Sequence, residues 1–140
     1  MTTFDRDYLM NAPLGELVQE ARAIRQRCFG NRLDVCSIMN AKSGACSEDC
    51  AFCAQSARHA TGIQTYPLKS VDDMVSAAET ACDIGAERFG IVCSGSRPTE
   101  RELERLCQAV RIISERCGIS VCASLGKLRY EELVALRQAG

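Results

Sequence analysis

The sequence has no apolar run long enough to span a membrane, no low-complexity segment and no excess of charge of either sign. Its 17 basic and 18 acidic residues give a net charge of -1, which argues against a broad basic surface for nucleic acid or anionic lipid. Residues 1–23 carry early acids and no continuous apolar core, unlike a signal peptide. We therefore predict a cytoplasmic protein that binds neither nucleic acid nor membrane.

Cysteine, in contrast, is abundant, with ten in 140 residues. Without a secretion signal, reduced thiols are better explained as metal ligands, catalytic groups or small core residues than as disulfides. Cys28, Cys82, Cys107 and Cys117 fall within helical patterns, and we predict that they are ordinary packing or surface residues.

Three short, apolar segments alternate with helical patterns along the chain. The predicted strands are 32–40, 86–94 and 119–124. A first helix, over 12–31, precedes them, beginning at Pro13 and ending at Gly30. Later helices begin after the capping pairs Ser70/Asp73 and Thr99/Glu102, and a last one covers Tyr130–Ala139.

Strand–helix units at about 30-residue spacing predict parallel strands joined by right-handed crossovers. The fold class is therefore α/β, either a small three-stranded sheet or, as we favour, the N-terminal part of a (β/α)8 TIM-type barrel, which needs about 250 residues. The predicted organisation is an N-terminal helical extension over 1–31 and the first βα units of a truncated barrel over 32–140.

The stretch "GACSEDCAFCAQS" places Cys46, Cys50 and Cys53 in the loop after the first predicted strand, with the spacing C-x3-C-x2-C. A closed zinc site needs four ligands, and a dithiol redox motif would leave Cys46 without a role. Three thiolates can hold three corners of a [4Fe–4S] cluster and leave the fourth iron open. We favour the cluster over zinc or incidental thiols, and barrel enzymes keep their chemistry at this edge of the sheet.

The longer string "SIMNAKSGACSEDCAFCAQSARHATGIQTYPL", with "ERFGIVCSGSRPTERELE" and "CASLGKL", resembles the biotin synthase branch of the radical S-adenosylmethionine enzymes. The resemblance covers nearly the whole chain past residue 14, but about half of the family's usual length. It implies that Cys46, Cys50 and Cys53 bind the [4Fe–4S] cluster and that Phe52 lies near the adenine of S-adenosylmethionine.

The resemblance also implies the reaction and the partners. A 5′-deoxyadenosyl radical would abstract hydrogen from dethiobiotin, and sulfur insertion would convert dethiobiotin to biotin. Flavodoxin or ferredoxin would donate electrons, and the full-length enzyme would be a homodimer. The chain by itself is expected to be inactive and, as part of a barrel, poorly soluble or prone to associate.

A second iron–sulfur cluster is the point at which the sequence departs from this family. Cys122 matches one expected [2Fe–2S] ligand, but Gly90 stands where another cysteine is expected. Cys93 lies three positions further, which reverses the face of a strand. The alternative is a variant cluster that uses Cys36 or Cys93 together with Cys122.

Other polar residues near the loop have simpler interpretations. His59, the single histidine, is predicted to be an ordinary loop residue rather than a proton carrier. Arg97 is either a solvated loop residue or a partner for a carboxylate, and the segment 94–96 could approach S-adenosylmethionine through its backbone. Two alternative functions stay open: a related radical enzyme, such as a hydrogenase-cofactor maturase, and a non-catalytic zinc or redox module.

Overall fold

The computed structural model describes residues 5–140, which form two compact units, one ending at Leu33 and one spanning Asp34–Gly140. The first unit contains helices α1 (Arg6–Asn11) and α2 (Leu14–Phe29). Helix α1 was not predicted from the sequence; it has six residues and begins where the Asp5 carboxylate accepts a hydrogen bond from Tyr8 N at 3.0 Å. Predicted features of residues 1–4 lie outside the described residues.

The second unit is a parallel sheet with helices on one of its faces. Its strands are β1 (Cys36–Lys42), β2 (Arg88–Cys93) and β3 (Ser120–Ser124), in the order β1-β2-β3. Helices α3 (Val71–Asp83), α4 (Glu100–Cys117) and α5 (Tyr130–Ala139) follow the three strands in turn. The prediction of three parallel strand–helix units is therefore confirmed.

The first strand was predicted over 32–40, but in the structure it lies further along the chain, at Cys36–Lys42. Residues 32–35 are apolar in part, but Leu33 is exposed and pairs with no strand. The strand instead continues through Ala41, which is completely buried, to Lys42, which pairs with Cys93. Burial and pairing, rather than apolar composition, set these ends.

Both predicted capping pairs begin helices. Ser70 Oγ accepts a hydrogen bond from Asp73 N at 3.0 Å, and the Asp73 carboxylate accepts one from Ser70 N at 3.1 Å. Thr99 and Glu102 make the same reciprocal pair at α4. Each box satisfies amide donors that have no partner within the helix, so the two helices start at defined positions after the loops.

The two faces of the sheet have different environments. On one face Phe89 and Ile91 are buried against helical residues such as Met74, Leu106 and Ile113. On the other face Ile38 is 69% exposed. The covered face holds the hydrophobic core, and the open face corresponds to the interior of a barrel. None of the helices within residues 5–140 is long and apolar enough to cross a membrane.

Candidate metal centre

The cysteine loop leaves the sheet at the carboxyl end of β1 and returns to it before α3. Ser43 and Tyr66 close its base as an antiparallel bridge, with N–O distances of 3.1 and 3.0 Å. Lys69 N then donates to Ala41 O at 2.9 Å. The loop therefore starts and ends on the core, although it contains little regular structure.

A reversal of the backbone directs the chain into the cysteine segment. Gly44 and Ala45 both have positive φ, at 72° and 52°. A Cβ at Gly44 would lie 2.2 Å from Thr65 Oγ1 and 2.9 Å from Thr65 Cβ, so only glycine fits between the two sides of the loop. Ala45 is the one non-glycine residue with positive φ between residues 5 and 140. Such strain is retained where the surrounding contacts fix the backbone.

Hydrogen bonds to Gln55 hold much of this backbone conformation in place. Its side-chain oxygen accepts hydrogen bonds from Gly44 N and from Ser43 Oγ, the latter at 3.2 Å. Its backbone oxygen accepts from Cys46 N at 3.0 Å. Gln55 was not predicted as a functional residue, because a polar residue two positions after Cys53 carries no local signal of a contact eleven residues earlier in the chain.

The three loop thiols have different exposures. Cys46 is 9% exposed, Cys53 is half-buried and Cys50 is exposed. Cys53 N donates to Cys50 O at 3.0 Å, so a tight turn joins the last two cysteines, and Phe52 within that turn is 97% exposed. The phenyl ring is thus available to a ligand near the cysteines.

The donor set fits an iron–sulfur cube. Thiolates are the usual ligands of such clusters, and each thiolate on a cube binds a different iron. Over residues 5–140, no three side chains of His, Cys, Asp or Glu are gathered as ligands of one metal ion. Cube ligands stand further apart than ligands of one ion, so the loop thiols can serve a cluster without meeting at a point.

Loops from the next two strands contact the cysteine loop. Ser94 Oγ, after β2, donates to Gly44 O at 2.7 Å. After β3, Lys127 Nζ lies 3.3 Å from the Glu48 carboxylate. The carboxyl ends of the three strands therefore meet at one edge, as parallel topology requires.

A cavity of about 320 Å³ lies beside the cysteine loop and is lined by Gly44, Gln55, His59, Thr65 and neighbouring small residues. His59 Nε2 lies 3.2 Å from Asp49 Oδ1, and both side chains are at least one-third exposed. This pair is a surface contact within the loop, and the ordinary loop role of His59 stays a prediction.

The candidates for a second cluster are divided between the faces of the sheet. Gly90 pairs in register with Cys122 on β3, and both belong to the open face with Cys36 on β1. Cys93 lies on the same face as buried Phe89 and packs against the core, where burial raises the pKa of its thiol to about 11. The structure thus brings Cys36 and Cys122 to one face and does not bring Cys93 to it.

A second cavity, of about 270 Å³, opens between the loops after β2 and β3. Its lining residues are Glu48, Ser96, Arg97, Lys127, Leu128 and Arg129. Both arginines bind the carboxylate of Glu132, which is 6% exposed on α5. The amide N–H of Arg129 and then the guanidinium of Arg97 lower the pKa of Glu132 to about 2. The Glu132 carboxylate therefore holds two guanidinium groups at this edge of the sheet.

Replacing Glu132 with glutamine should weaken folding in a pH-dependent way. A depressed carboxyl pKa stabilises the folded state above the ordinary value of 4.5, and that stabilisation is lost as pH falls towards 2. We expect the variant to have a lower urea midpoint than wild type at pH 7, and the difference to shrink by roughly half at pH 3. Glu131→Gln, an exposed first-turn neighbour, is the control and should show no such convergence. Equal deficits at both pH values would contradict this role.

Comparison with known proteins adds a decisive observation. The chain is 44% identical over 132 residues to a protein named biotin synthase from Akkermansia muciniphila, and this match covers 94% of the chain. It is 45% identical over 124 residues to a biotin synthase from Persephonella marina. The chain is a homologue of biotin synthase. No protein-family profile matches it.

The homology to biotin synthase is limited in length. The chain spans about two fifths of these curated relatives, at 41% and 37% of their lengths. Solved structures agree on the fold: methylornithine synthase (PylB) superposes with a TM-score of 0.75 at 24% identity, and HydG, a maturase of the [FeFe]-hydrogenase, with 0.69 at 19%. The chain covers 36% and 30% of those two proteins. The predicted fold class, α/β as the N-terminal part of a (β/α)8 TIM-type barrel, is confirmed.

Proposed function

We propose that this segment supplies the cluster-binding part of a radical S-adenosylmethionine enzyme of the biotin synthase type. The observation that supports it best is the placement of Cys46, Cys50 and Cys53 in one anchored loop at the carboxyl end of β1. The homology to biotin synthases extends through this loop. Three thiols with no fourth in the loop suit a cluster that keeps one iron open.

The roles of the residues follow from their surroundings. Cys46 is buried and anchored on both sides, since Cys46 N donates to Gln55 O and Cys46 O accepts from Ala57 N at 2.8 Å. Cys50 and Cys53, which a tight turn joins, would bind the more exposed side of the cluster. When bound, the [4Fe–4S] cluster would supply the electron that cleaves the sulfonium of S-adenosylmethionine, and exposed Phe52 would contact the adenine.

The substrate proposed from the relatives' name is dethiobiotin, with sulfur insertion giving biotin. An electron donor such as flavodoxin or ferredoxin would reduce the cluster, and the full-length protein would be a homodimer. The cavity at Arg97 and Arg129 lies on the same edge as the cysteine loop, so its guanidinium groups are placed to bind the carboxylate of the cofactor or of the substrate.

We assign a variant second cluster to the open face, with Cys36 and Cys122 among its ligands. Gly90 stands where the family's usual cysteine ligand is expected. Cys93 belongs to the core face, and burial keeps its thiol protonated at neutral pH. The register pairs Cys122 with Gly90 and Cys36 with Arg88, which places both thiols on the inner side of the barrel.

Cys122→Ser tests this second cluster in a full-length protein carrying these residues. We expect more than about four irons per chain in the anaerobically reconstituted wild type and a decrease to about four in the variant. Cys93→Ser, a change of the same size on the other face, should leave the iron and sulfide content unchanged. An iron content of about four in the wild type, or an equal loss in both variants, would remove the assignment.

Reductive cleavage of S-adenosylmethionine tests the function itself. The full-length protein should release methionine and 5′-deoxyadenosine under reducing, anaerobic conditions, and dethiobiotin should stimulate the release. Cleavage without a response to dethiobiotin would favour a related radical enzyme, an alternative that the Gly90 departure supports. A colourless, zinc-loaded product without cleavage would favour a non-catalytic module.

A further inference from the structure

Two cysteines outside the cluster loop meet at the opposite end of the sheet. Cys82 lies in the last turn of α3, and Cys117 is the last residue of α4. Both helices follow parallel strands and run back across the sheet, so their carboxyl ends lie at its amino edge. This edge is remote from the loops that hold the candidate cluster site.

The contact between them is short. The Cys82 thiol donates to the carbonyl oxygen of Cys117, with an S–O distance of 3.2 Å. That carbonyl ends a helix and has no intrahelical donor, so the thiol satisfies a group that the helix cannot. Burial raises the pKa of the Cys117 thiol, and the nearby Cys82 raises it further.

Covalent geometry turns this contact into a limit on the distance between the sulfurs. A carbonyl oxygen lies about 2.4 Å from its own Cα, so the Cys82 sulfur lies within about 5.6 Å of the Cys117 Cα. A cysteine sulfur lies about 2.8 Å from its Cα, so the two sulfurs are at most about 8.4 Å apart, and a disulfide places each sulfur roughly 4 Å from its partner's Cα. A rotation of the Cys117 side chain and a shift of up to about 1.6 Å between the two helix ends are therefore needed to bring the sulfurs to bonding distance.

We propose that Cys82 and Cys117 are a thiol-oxidation site that forms a disulfide when the protein meets a low-molecular-weight disulfide such as oxidised glutathione. The bond Cys82 Sγ–Cys117 Sγ forms and the glutathione S–S bond breaks. The two cysteine protons and two electrons pass to two glutathione thiols. The bond joins residues 35 positions apart and fastens the end of α3 to the end of α4.

The raised pKa of Cys117 sets the conditions for the reaction. A protonated thiol is a poor nucleophile, so attack by Cys117 is slow at neutral pH and becomes faster as pH rises. The site is therefore a response to oxidation, separate from any cluster chemistry, and it does not depend on the proposed function.

Peptide mapping of the full-length protein tests the proposal. After oxidised glutathione at pH 8.5 and blocking of free thiols, trypsin should release the peptides 70–88 and 117–127 as one linked species. The Cys122→Ser background leaves Cys117 as the one thiol in the second peptide. We expect this pair to be the dominant linkage in the folded chain and to fall to the level of other pairs in guanidinium. Linked peptides spread equally among cysteines in the folded chain would overturn the proposal.

Single variants complete the test. Cys117→Ser should remove the linked species, whereas Cys107→Ser, a half-buried thiol on the same helix, should retain it. The oxidised wild type should also melt on the order of 10 °C higher than the reduced form, because the disulfide restricts the conformations of the unfolded chain. A linked species that persists in Cys117→Ser would contradict the pairing.

Discussion

Replacing Cys46 with serine is expected to abolish cluster binding. Cys46 is the buried member of the trio, and both of its backbone groups are hydrogen-bonded within the loop, so no neighbouring thiol can take its place without rearranging that loop. Loss of an outer hydrogen-bond partner already weakens metal binding by about 10- to 100-fold, and loss of a ligand should exceed this. The measurements are iron and sulfide content and the visible absorbance of the anaerobically reconstituted protein, together with cleavage of S-adenosylmethionine.

The matched control for this change is Cys28→Ser. Cys28 is an exposed thiol on α2, outside the loop, and its replacement changes the same single atom. Its iron content and its cleavage rate should equal those of the wild type. Retention of the cluster in Cys46→Ser would contradict the proposed ligand set, and equal losses in both variants would indicate non-specific iron.

Replacing Gly44 with alanine is expected to have the largest effect on folding. The new Cβ would stand 2.2 Å from Thr65 Oγ1 and 2.9 Å from Thr65 Cβ, so rotation of the threonine alone does not relieve the clash. The positive φ adds a cost of about 1 kcal/mol for any residue with a Cβ. We expect a total loss of about 2–4 kcal/mol in the free energy of unfolding, measured by urea denaturation, and lower iron uptake from the displaced loop.

Gly62→Ala separates the cost of the positive φ from the cost of the clash with Thr65. Gly62 lies in the same loop with a φ of 67°, but a Cβ there would meet nothing within 4 Å. It should therefore lose about 1 kcal/mol and keep its iron. Equal destabilisation of the two variants would show that backbone conformation, and not the contact with Thr65, accounts for the effect.

Local sequence signals predicted the regular elements well. Capping pairs such as Ser70/Asp73 act over three residues, and the bounds of the last helix, Tyr130–Ala139, agree with the structure. The period-2 rule also separated Cys93 from Cys122, because the offset between Gly90 and Cys93 is odd and β2 contains no bulge. The pairing irregularity is in β1, between Asn40 and Lys42.

Contacts between distant residues were not predictable in this way. The amide of Gln55 bridges to Gly44, and the carboxylate of Glu132 joins two arginines, one of them 35 positions away. The thiol of Cys82 likewise meets Cys117 only because α3 and α4 pack side by side. Such pairs depend on the packed arrangement of the elements, which periodicity and composition do not contain.

Gly90 changes the shape of the open face of the sheet as well as the set of possible cluster ligands. It lies at mid-sheet between Ile38 and Cys122, and a Cβ added there would make ordinary contact with Ile38 at 3.4 Å. Gly90 is itself buried, because the Ile38 side chain lies next to the place that a Cβ would occupy, so a ligand reaches the strand backbone here only if Ile38 rotates away.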